Sequence, residues 1–277
     1  MGSFKEKVVL VTGGSLGIGR AMAEEFARNG AKVIICSRTL SDLGKASEDI
    51  KSRHGFCDSM VVDVSSRDSV KGLFDYVGKK HGRLDVLVNC AGVLGPVAPL
   101  ESADADAWEK TIGINLIGTV NCVRHAIPIM KRQGHGKIIN LAGGGVGSPG
   151  ITPNVSAYIS SKMAVAGFTE AVSKELKQFN IQVNAISPSP VDTRMLEQVQ
   201  KARKLAGEAI LKGATPEKAV ALAVYLASDE SFVTGKVISA VWDDYSRFDE
   251  IKDKLENTSL YNFRRIDDII FVEKDKS

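Results

Sequence analysis

Short apolar runs alternate with longer amphipathic segments along most of the chain. Runs rich in valine and isoleucine occupy residues 7–12, 31–36, 60–64, 84–89, 137–142, 181–187 and 236–241. Segments with helical periodicity lie between them, at residues 17–29, 41–53, 66–81, 105–132, 156–179 and 216–227. Strands that are apolar on both faces need helices on both sides, which is typical of a parallel sheet. The pattern predicts an α/β fold, a single doubly wound Rossmann domain with a seven-stranded parallel sheet that binds its ligand at the carboxyl ends of the strands.

The alternation ends near residue 242. Residues 242–277 carry six aromatic side chains, which is more than a disordered tail usually holds: Trp242, Tyr245, Phe248, Tyr261, Phe263 and Phe271. We therefore predict a Rossmann-type domain over residues 1–242 and an ordered C-terminal extension over residues 243–277. We expect the extension to dock on that domain or on a neighbouring subunit.

Composition excludes several classes of function. The formal net charge of +3 at pH 7 is too small and too scattered for a nucleic-acid partner, which would require a basic stripe. No apolar run approaches the roughly 20 residues that span a bilayer, so we expect no membrane partner. The four histidines and four cysteines lack the spacings of a metal site or a CxxC pair. No metal is expected, and the thiols fit a reducing cytoplasm.

A glycine-rich turn follows the first strand, in the segment TGGSLGIGRA. Gly13, Gly17 and Gly19 stand in a GxxxGxG spacing at the start of a predicted helix. The missing β-carbons allow a tight turn and a close approach to a pyrophosphate, whose charge the free N–H groups and the helix dipole favour. The residues expected to bind the cofactor here are Gly13, Ser15, Leu16, Gly17 and Ile18.

The second strand ends in CSRT, which bears on the choice of dinucleotide. A site that reads a free ribose 2′-hydroxyl usually has an acidic acceptor there, whereas this chain has Ser37 and Arg38. Because a hydroxyl and a guanidinium suit a 2′-phosphate, NADP(H) is the expected cofactor. Asp63 and Val64 are expected beside the adenine, although Asp63 could equally cap the helix that starts near residue 66.

The fourth strand delivers NCAG to the same edge of the sheet. Its small residues let the chain pass close to a ribose. Asn89, Ala91 and Gly92 are therefore further candidates for cofactor binding.

Tyr158 and Lys162 are the candidates for chemistry. They are spaced i and i+4 on the predicted helix 156–179, so both side chains project from one face. A neighbouring ammonium favours the phenolate and lowers the tyrosine pKa from about 10. Such a pair can move a proton at a carbonyl.

TGGSLGIG, NCAG, INLIGT, SAYISSK and SPSPVDT occur together in one order, and by this set the chain resembles the short-chain dehydrogenase/reductase family over about residues 7–242. The resemblance implies hydride transfer between a nicotinamide and a carbonyl or secondary alcohol. It makes Tyr158 the general acid/base, and Lys162 the residue that binds the ribose hydroxyls and lowers the pKa of Tyr158. It also implies a homotetramer or homodimer formed through helices 105–132 and 156–179.

Other site residues follow from the same resemblance. Asn115 in GINLIG matches the asparagine that holds a relay water in this family. Thr193 in VDT matches the threonine near the nicotinamide carboxamide. Pro188 and Val191, in the same segment, are also expected to contact the cofactor.

The serine that orients the substrate carbonyl in this family is missing from its expected place. Matching the fifth strand forward gives Gly143, and counting back from Tyr158 gives Gly145. We favour backbone N–H groups of this glycine loop as the replacement. Ser148 or Ser156 could supply a hydroxyl instead, although Ser156 fits better as an N-cap or first-turn residue. Loss of catalysis is the third alternative.

A substrate lid is expected over about residues 188–213. Met195 and Leu196 could shield the nicotinamide from water, and the basic residues of the lid could meet an anionic group: Arg194, Lys201, Arg203 and Lys204. Arg264 and Arg265 of the extension could do the same, or pair with the nearby acidic residues. These features suggest a small polar substrate, sugar-like or anionic. Two other functions remain open, a non-catalytic NADP(H)-binding protein and a dehydratase or epimerase that retains its nicotinamide.

Overall fold

The computed structural model describes residues 3–143, 151–188, 190–258 and 260–262. Seven strands of this part of the chain form one parallel sheet in the order β3-β2-β1-β4-β5-β6-β7. The strands are β1 (Val8–Thr12), β2 (Lys32–Ser37), β3 (Cys57–Val61), β4 (Val86–Asn89), β5 (Gly136–Leu141), β6 (Ile181–Ser187) and β7 (Val237–Ser239). The predicted doubly wound, seven-stranded parallel fold is confirmed. Strand order reverses between β1 and β4, and the crevice at their carboxyl ends is where such folds bind ligands.

Helices cover both faces of the sheet. They are α1 (Gly17–Arg28), α2 (Leu40–His54), α3 (Arg67–His81), α4 (Ala105–Ile112), α5 (Gly118–Gln133), α6 (Ser156–Leu176), α7 (Arg194–Leu205), α8 (Glu217–Ala227) and α9 (Lys252–Asn257). A π-helical turn over Gly113–Ile117 joins α4 to α5. The helix α7 lies in the expected lid segment and is not among the helices that the sequence pattern predicted.

Side chains of the central strands alternate between two hydrophobic cores. On one face, Val9 and Ile35 pack with residues of α1, α2 and α8. On the other face, Leu10 and Ile34 pack with residues of α3, α5 and α6. Because both faces are buried, the strands appear in the sequence as continuous apolar runs.

The third strand differs from its predicted position. The apolar pattern predicted residues 60–64, whereas β3 runs Cys57–Val61 and pairs Cys57 with Val33. Val62 and Val64 follow the strand but are buried in the core under α3 and α5. The pattern therefore marked burial rather than sheet pairing, since β3 is an edge strand that is only partly covered.

The described part of the C-terminal extension lies against the main domain. The Tyr245 ring stacks on Tyr225 of α8 with 5.2 Å between centroids, and Phe248 is buried in the core on the α8 face. The backbone N–H of Val237 donates a hydrogen bond to the Tyr261 carbonyl oxygen at 2.9 Å. This contact covers the outer edge of β7, which is the last strand of the sheet.

Candidate active site

The glycine-rich turn between β1 and α1 has the backbone that its sequence requires. Gly13 and Gly17 have φ angles of +67° and +55°, in the left-handed region that favours glycine. A Cβ on Gly13 would lie 2.8 Å from the Ala91 Cα, and one on Gly19 would lie 2.5 Å from the Gly13 carbonyl oxygen. A side chain at either position would therefore clash with backbone. The turn and the NCAG segment therefore pack closely against each other, and together they form one cradle in which these positions must be glycine.

The helix α1 begins at this cradle, so the backbone N–H groups of its first turn, which have no partner within the helix, lie beside the cradle. Leu16 is the N-cap residue, and within the described chain no side chain caps the helix or places an acidic group in its first turn. Such an N-terminus favours a phosphate. Ser15 is buried in the turn, while Leu16 is exposed at its tip.

Thr12 holds the NCAG segment against the turn. Its hydroxyl oxygen accepts hydrogen bonds from the backbone N–H groups of Cys90 and Ala91, each at 3.1 Å. The Asn89 amide nitrogen donates to the Asn140 side-chain oxygen at 2.9 Å, so Asn89 ties β4 to β5. Gly92 lies at the same edge, where a Cβ would be 3.6 Å from the Lys162 Nζ.

Ser37, Arg38 and Asp63 lie at the far end of this crevice. Ser37 ends β2 and is half-buried, and the Arg38 side chain that follows is exposed. Asp63 Oδ1 accepts hydrogen bonds from the Ser65 backbone N–H at 2.9 Å and from the Ser65 hydroxyl at 2.6 Å. Burial raises the pKa of Asp63, but these hydrogen bonds and the Arg38 charge outweigh burial and leave the pKa below its ordinary value.

Asp63 does not cap the helix that follows it. The cap of α3 is Ser66, whose hydroxyl oxygen accepts the Ser69 backbone N–H at 3.3 Å. Val64, the other residue expected beside the adenine, is buried against the backbone of Gly118 in α5. The capping alternative for Asp63 is therefore wrong.

Tyr158 and Lys162 lie on the same face of α6, as their spacing predicts. The Lys162 Nζ is 5.9 Å from the centre of the Tyr158 ring and donates a hydrogen bond to the Leu141 carbonyl oxygen at 2.7 Å. Burial lowers the pKa of Lys162 to about 8, while the nearby Cys90 thiol opposes this shift. The lysine thus joins α6 to the carboxyl end of β5, next to the cradle.

Asn115 lies in the π-helical turn and is fully buried. Its Oδ1 accepts the Val93 backbone N–H at 2.9 Å, and its Nδ2 donates to the Val93 carbonyl oxygen and to the Ser161 hydroxyl oxygen, each at 2.9 Å. Ser161 in turn donates to the Tyr158 carbonyl oxygen at 2.7 Å. The Asn115 side chain therefore connects the strand-β4 loop to the helix that carries Tyr158 and Lys162.

Gly143 lies directly against the tyrosine. A Cβ at this position would be 2.5 Å from the Tyr158 hydroxyl oxygen and 2.9 Å from the Lys162 Cγ. The place where a serine side chain would begin is thus filled by the tyrosine itself. Gly145 and Ser148 lie outside the described residues. Ser156 begins α6, and its hydroxyl oxygen accepts the Trp108 indole N–H at 3.0 Å, so it belongs to the α4–α6 contact.

A cavity of about 400 Å³ opens beside Tyr158. Expected cofactor residues on its wall are Ile18, Pro188, Val191 and Thr193. Thr193 caps α7 through its hydroxyl, and its Cγ2 would lie 3.2 Å from a Cβ on Gly17. The start of the segment expected to form the lid thus lies next to the glycine turn, and the cavity extends from the crevice toward that segment.

Sequence reasoning missed most of the remaining wall. Its other members lie on loops, at the ends of β6 and β7, in the segment expected to form the lid and in the first turn of α6: Leu94, Thr152, Val155, Ile159, Ser187, Pro190, Val199, Leu211, Ser239, Val241 and Trp242. Most of these residues are aliphatic and belong to no sequence motif, so their place in the cavity wall is visible only in the folded structure. Met195 and Leu196 also line the cavity. Of the four basic residues named above for the expected lid, only Arg203 lines the cavity, and Arg194, Lys201 and Lys204 are exposed.

Two absences hold for the described part of the chain. It contains no group of three or more His, Cys, Asp or Glu side chains that could hold a metal ion. Nor does any of its helices combine the length and apolar character that crossing a membrane requires.

A doubly wound sheet with a glycine cradle at its switch point defines a dinucleotide-binding α/β protein. The family model for short chain dehydrogenase matches residues 7–204. The chain is 37% identical over 238 residues to a 3-oxoacyl-(acyl-carrier-protein) reductase of Thermotoga maritima, covering 84% of this chain and 95% of the relative. It is 34% identical over 265 residues to a 3beta-hydroxysteroid dehydrogenase of Mediterraneibacter gnavus, covering 87% and 95%. The chain therefore belongs to the short-chain dehydrogenase family.

Solved structures support the same family. An NAD+-bound xylitol dehydrogenase superposes with a TM-score of 0.78 at 28% identity, covering 85% of this chain and 98% of that chain. An actinorhodin polyketide ketoreductase with NADPH gives a TM-score of 0.79 at 26% identity, covering 86% and 97%. These relatives are reductases and dehydrogenases, so this chain is an oxidoreductase of the hydride-transferring kind.

Proposed function

We propose that the protein transfers hydride between NADP(H) and the carbonyl or secondary alcohol of a small molecule, with Tyr158 as the proton-transferring group. The observation that carries this proposal is the buried Lys162 amine, which lies beside the Tyr158 ring and is held by the Leu141 carbonyl oxygen. A tyrosine and a lysine fixed on one helix face at the crevice suit acid/base chemistry at a carbonyl.

Each of these residues has a role in the proposed reaction. Bound NADP(H) supplies or accepts the hydride. Tyr158 donates its phenolic proton to the carbonyl oxygen during reduction and removes a proton from the alcohol during oxidation. Lys162, as the ammonium, stabilises the phenolate and binds the ribose hydroxyls. Asn115 joins the Val93 loop to α6 through its hydrogen bonds to Val93 and Ser161. We also propose that Asn115 holds a relay water.

The cradle fits a dinucleotide. A β-carbon on Gly13 or Gly19 would clash with the backbone of the cradle, so these glycines allow the tight turn that a pyrophosphate-binding loop needs. We propose that Ser15, Leu16 and Ile18 complete the phosphate site. Further cofactor contacts are proposed for Asn89, Ala91, Gly92, Pro188, Val191 and Thr193.

The choice of NADP(H) rests on Ser37 and Arg38. The Arg38 guanidinium is exposed at the end of β2, where a 2′-phosphate would lie, and the Asp63 carboxylate near it already accepts two hydrogen bonds from Ser65. We propose that Asp63 and Val64 border the adenine. The solved relatives include both an NAD+ complex and an NADPH complex, so the preference for NADP(H) is proposed from Ser37 and Arg38 of this chain.

Backbone N–H groups of the glycine loop are proposed to replace the missing serine hydroxyl. Gly143 is the described member of this loop, and we assign Gly145 the same role. The loss of one such donor costs about 2.7–4 kcal/mol of transition-state stabilisation, so a slower enzyme is expected rather than an inactive one.

The test is turnover followed at the absorbance band of the reduced nicotinamide, with NADPH and NADH, over a panel of ketones. We expect oxidation of NADPH by at least one ketone, and loss of that activity in Tyr158→Phe with nearly unchanged NADPH affinity. Equal ketone reduction by Tyr158→Phe would contradict the assignment of Tyr158. NADPH binding without turnover of any ketone would instead support the non-catalytic alternative. Nicotinamide that stays bound through purification would support the dehydratase or epimerase alternative.

We further propose a catalytic domain over residues 1–242, with the lid at about 188–213 and the extension at 243–277. A homodimer or homotetramer formed through α4, α5 and α6, working in the cytoplasm, completes the proposal. Analytical ultracentrifugation tests the assembly, since a monomer at micromolar concentration would contradict it.

A further inference from the structure

The walls of the cavity beyond Tyr158 are mainly hydrocarbon. On the lid side they are formed by Met195, Val199 and Leu211, and on the opposite side by Leu94 and Ile159. Most of these side chains also pack together in one hydrophobic cluster between α7 and the start of α6. The described lining also holds a few hydroxyl groups, among them Ser187 and Ser239, but a substrate with many hydroxyl groups would lose more hydrogen bonds to water than this wall returns, which disfavours a sugar-like body.

The one charged side chain among the described lining residues is Arg203, and its guanidinium is already engaged. Its Nε donates to the Ala209 carbonyl oxygen at 2.6 Å, and its Nη1 lies 2.9 Å from a Glu208 carboxylate oxygen. The same nitrogen reaches the Thr152 hydroxyl at 3.4 Å. Arg203 therefore folds the lid back on itself and ties it to the loop before α6, and its charge is balanced without a substrate anion.

The mouth of the cavity also presents apolar surface. Trp242 lines the cavity and is nevertheless 63% exposed, and the neighbouring Val241 is exposed as well. Exposed apolar side chains that continue the wall of a pocket, as Trp242 and Val241 do, mark a binding surface.

We propose that the substrate is a carbonyl compound with a bulky, uncharged hydrocarbon body, and that Trp242 determines specificity for that body. This inference rests on the proposed function, since it places the carbonyl at Tyr158. The hydrocarbon body then extends between α7 and Trp242, and its outer end covers the indole. Proposed cofactor residues form part of the wall of this cavity of about 400 Å³, so the nicotinamide would take some of the volume and leave room for a ring with short substituents.

The test compares two matched substrate series with NADPH as cofactor. One series is cyclohexanone with 4-methyl, 4-ethyl and 4-propyl groups, and the other consists of ring ketones of similar size that carry hydroxyl groups. We expect kcat/KM to rise by about fourfold for each added methylene, the factor that corresponds to burying one such group. The hydroxylated ketones are expected to react at least tenfold more slowly than alkyl ketones of equal size.

Trp242→Ala should remove most of the increase in kcat/KM along the alkyl series, with the largest loss of kcat/KM for the 4-propyl ketone. Phe56→Ala is the matched control, because Phe56 is a partly exposed aromatic residue that packs on His81, outside the cavity lining. We expect this control to keep the parent series within twofold.

A binding measurement separates this inference from the proposed function. Quenching of tryptophan fluorescence by 4-propylcyclohexanone should occur in the parent protein and be much weaker in Trp242→Ala. Efficient turnover of hydroxylated ketones with a flat alkyl series would overturn the inference and leave the proposed function standing. Quenching by the alkyl ketones with no turnover of any ketone would do the opposite. Neither quenching nor turnover would overturn both.

Discussion

The backbone of Gly143 lies against the hydroxyl of Tyr158, so that a Cβ at position 143 would be 2.5 Å from the phenol oxygen. The same Cβ would be 2.9 Å from the Lys162 Cγ, which is not the mobile end of its side chain. The glycine is therefore a requirement of how the tyrosine and lysine are placed. In this chain the carboxyl end of β5 and the face of α6 approach each other too closely for a side chain between them.

Gly143→Ser should reduce activity rather than restore a family-typical site. The new Cβ must push Tyr158 or Lys162 out of place, and a displacement of about 1 Å at such groups costs on the order of 100-fold in rate. We expect kcat/KM for ketone reduction to fall at least tenfold, and Gly143→Ala to fall similarly. Gly44→Ser is the control, because a Cβ at Gly44 of α2 meets nothing within 4 Å. A faster Gly143→Ser enzyme would show that the site accommodates the hydroxyl.

The buried Lys162 amine makes stability depend on pH. Burial lowers its pKa from 10.5 to about 8 in the folded protein. Between these values the unfolded chain binds more protons than the folded one, so this lysine destabilises the fold below pH 8 and does so less as pH rises. Replacement by methionine removes the effect. We expect the free energy of unfolding of Lys162→Met, relative to that of the parent, to fall by about 2–3 kcal/mol as the pH rises from 7 to 10.

Urea unfolding of the cofactor-free parent and of Lys162→Met at several pH values measures this difference. Lys177→Met serves as the control, because Lys177 is exposed. A stability difference that stays constant from pH 7 to pH 10 would show that the Lys162 amine is not desolvated in the folded protein.

Ser161 links the buried amide of Asn115 to the helix of the proposed acid/base pair. Ser161→Ala removes the acceptor of the Asn115 Nδ2 at 2.9 Å and the hydrogen bond to the Tyr158 carbonyl oxygen at 2.7 Å. Leaving a buried donor without one acceptor costs about 1–3 kcal/mol, and we expect that loss in the free energy of unfolding. Because the substitution also removes the connection of α6 to the Val93 loop through Asn115, kcat should fall by several-fold. Denaturant unfolding and steady-state kinetics check both effects.

Ser160→Ala is the matched control for that prediction, since Ser160 is the adjacent serine of α6 and is exposed. It should change the free energy of unfolding by less than about 0.5 kcal/mol. Equal effects of the two substitutions would remove the case for a positioning network.

The fold was predictable from the sequence because the strands are buried on both faces. Apolar runs such as residues 7–12 and 181–187 coincide with β1 and β6 within a residue or so. The prediction was wrong at β3, where the buried Val62 and Val64 lie just outside the paired residues. Apolar patterns report burial, and at an edge strand burial and pairing separate.

The candidate site was only partly predictable, for a different reason. The spacing of Tyr158 and Lys162 fixes their common helix face, and glycine positions fix the cradle. The distance between Gly143 and Tyr158 depends instead on how closely β5 and α6 pack, which no local pattern encodes. The cavity wall is likewise assembled from distant aliphatic residues such as Leu94, Val199 and Trp242.

The extension is expected to stabilise the main domain without contributing to the cavity. Phe248 is buried on the α8 face and packs on Tyr225, whereas no residue after Trp242 is in the described lining. Phe248→Ala should cost about 3–5 kcal/mol of stability. We expect kcat/KM of the folded enzyme to stay within twofold at a temperature well below unfolding. Thermal unfolding and kinetics measure the two effects, with the partly exposed Leu260→Ala as the milder control.

Truncation after Asp244 is the stronger form of the same experiment. It removes Phe248 and the Tyr261 carbonyl that accepts the Val237 N–H, so the edge of β7 becomes exposed. An exposed edge strand promotes association, so the truncated protein should aggregate or change its oligomer size in sedimentation. Unchanged stability and oligomer size would show that the extension plays no structural part.

Arg38 should distinguish the two nicotinamide dinucleotides. Its guanidinium is exposed at the end of β2 and lies close enough to Asp63 to lower the pKa of that carboxylate, so it is available to a phosphate at this end of the crevice. A hydrogen bond to a charged group contributes about 1.5–3 kcal/mol, which corresponds to a roughly 10–150-fold change in Kd. We therefore expect Arg38→Ala to weaken NADPH binding by that factor and NADH binding by less than threefold. The preference of the parent for NADPH should also decrease with salt, since the contact is partly exposed. Arg53→Ala, at the other end of α2, is the control for a general loss of positive charge. If Arg38→Ala weakens both dinucleotides equally, the guanidinium does not read the 2′-phosphate, and the choice of cofactor must come from elsewhere in the crevice.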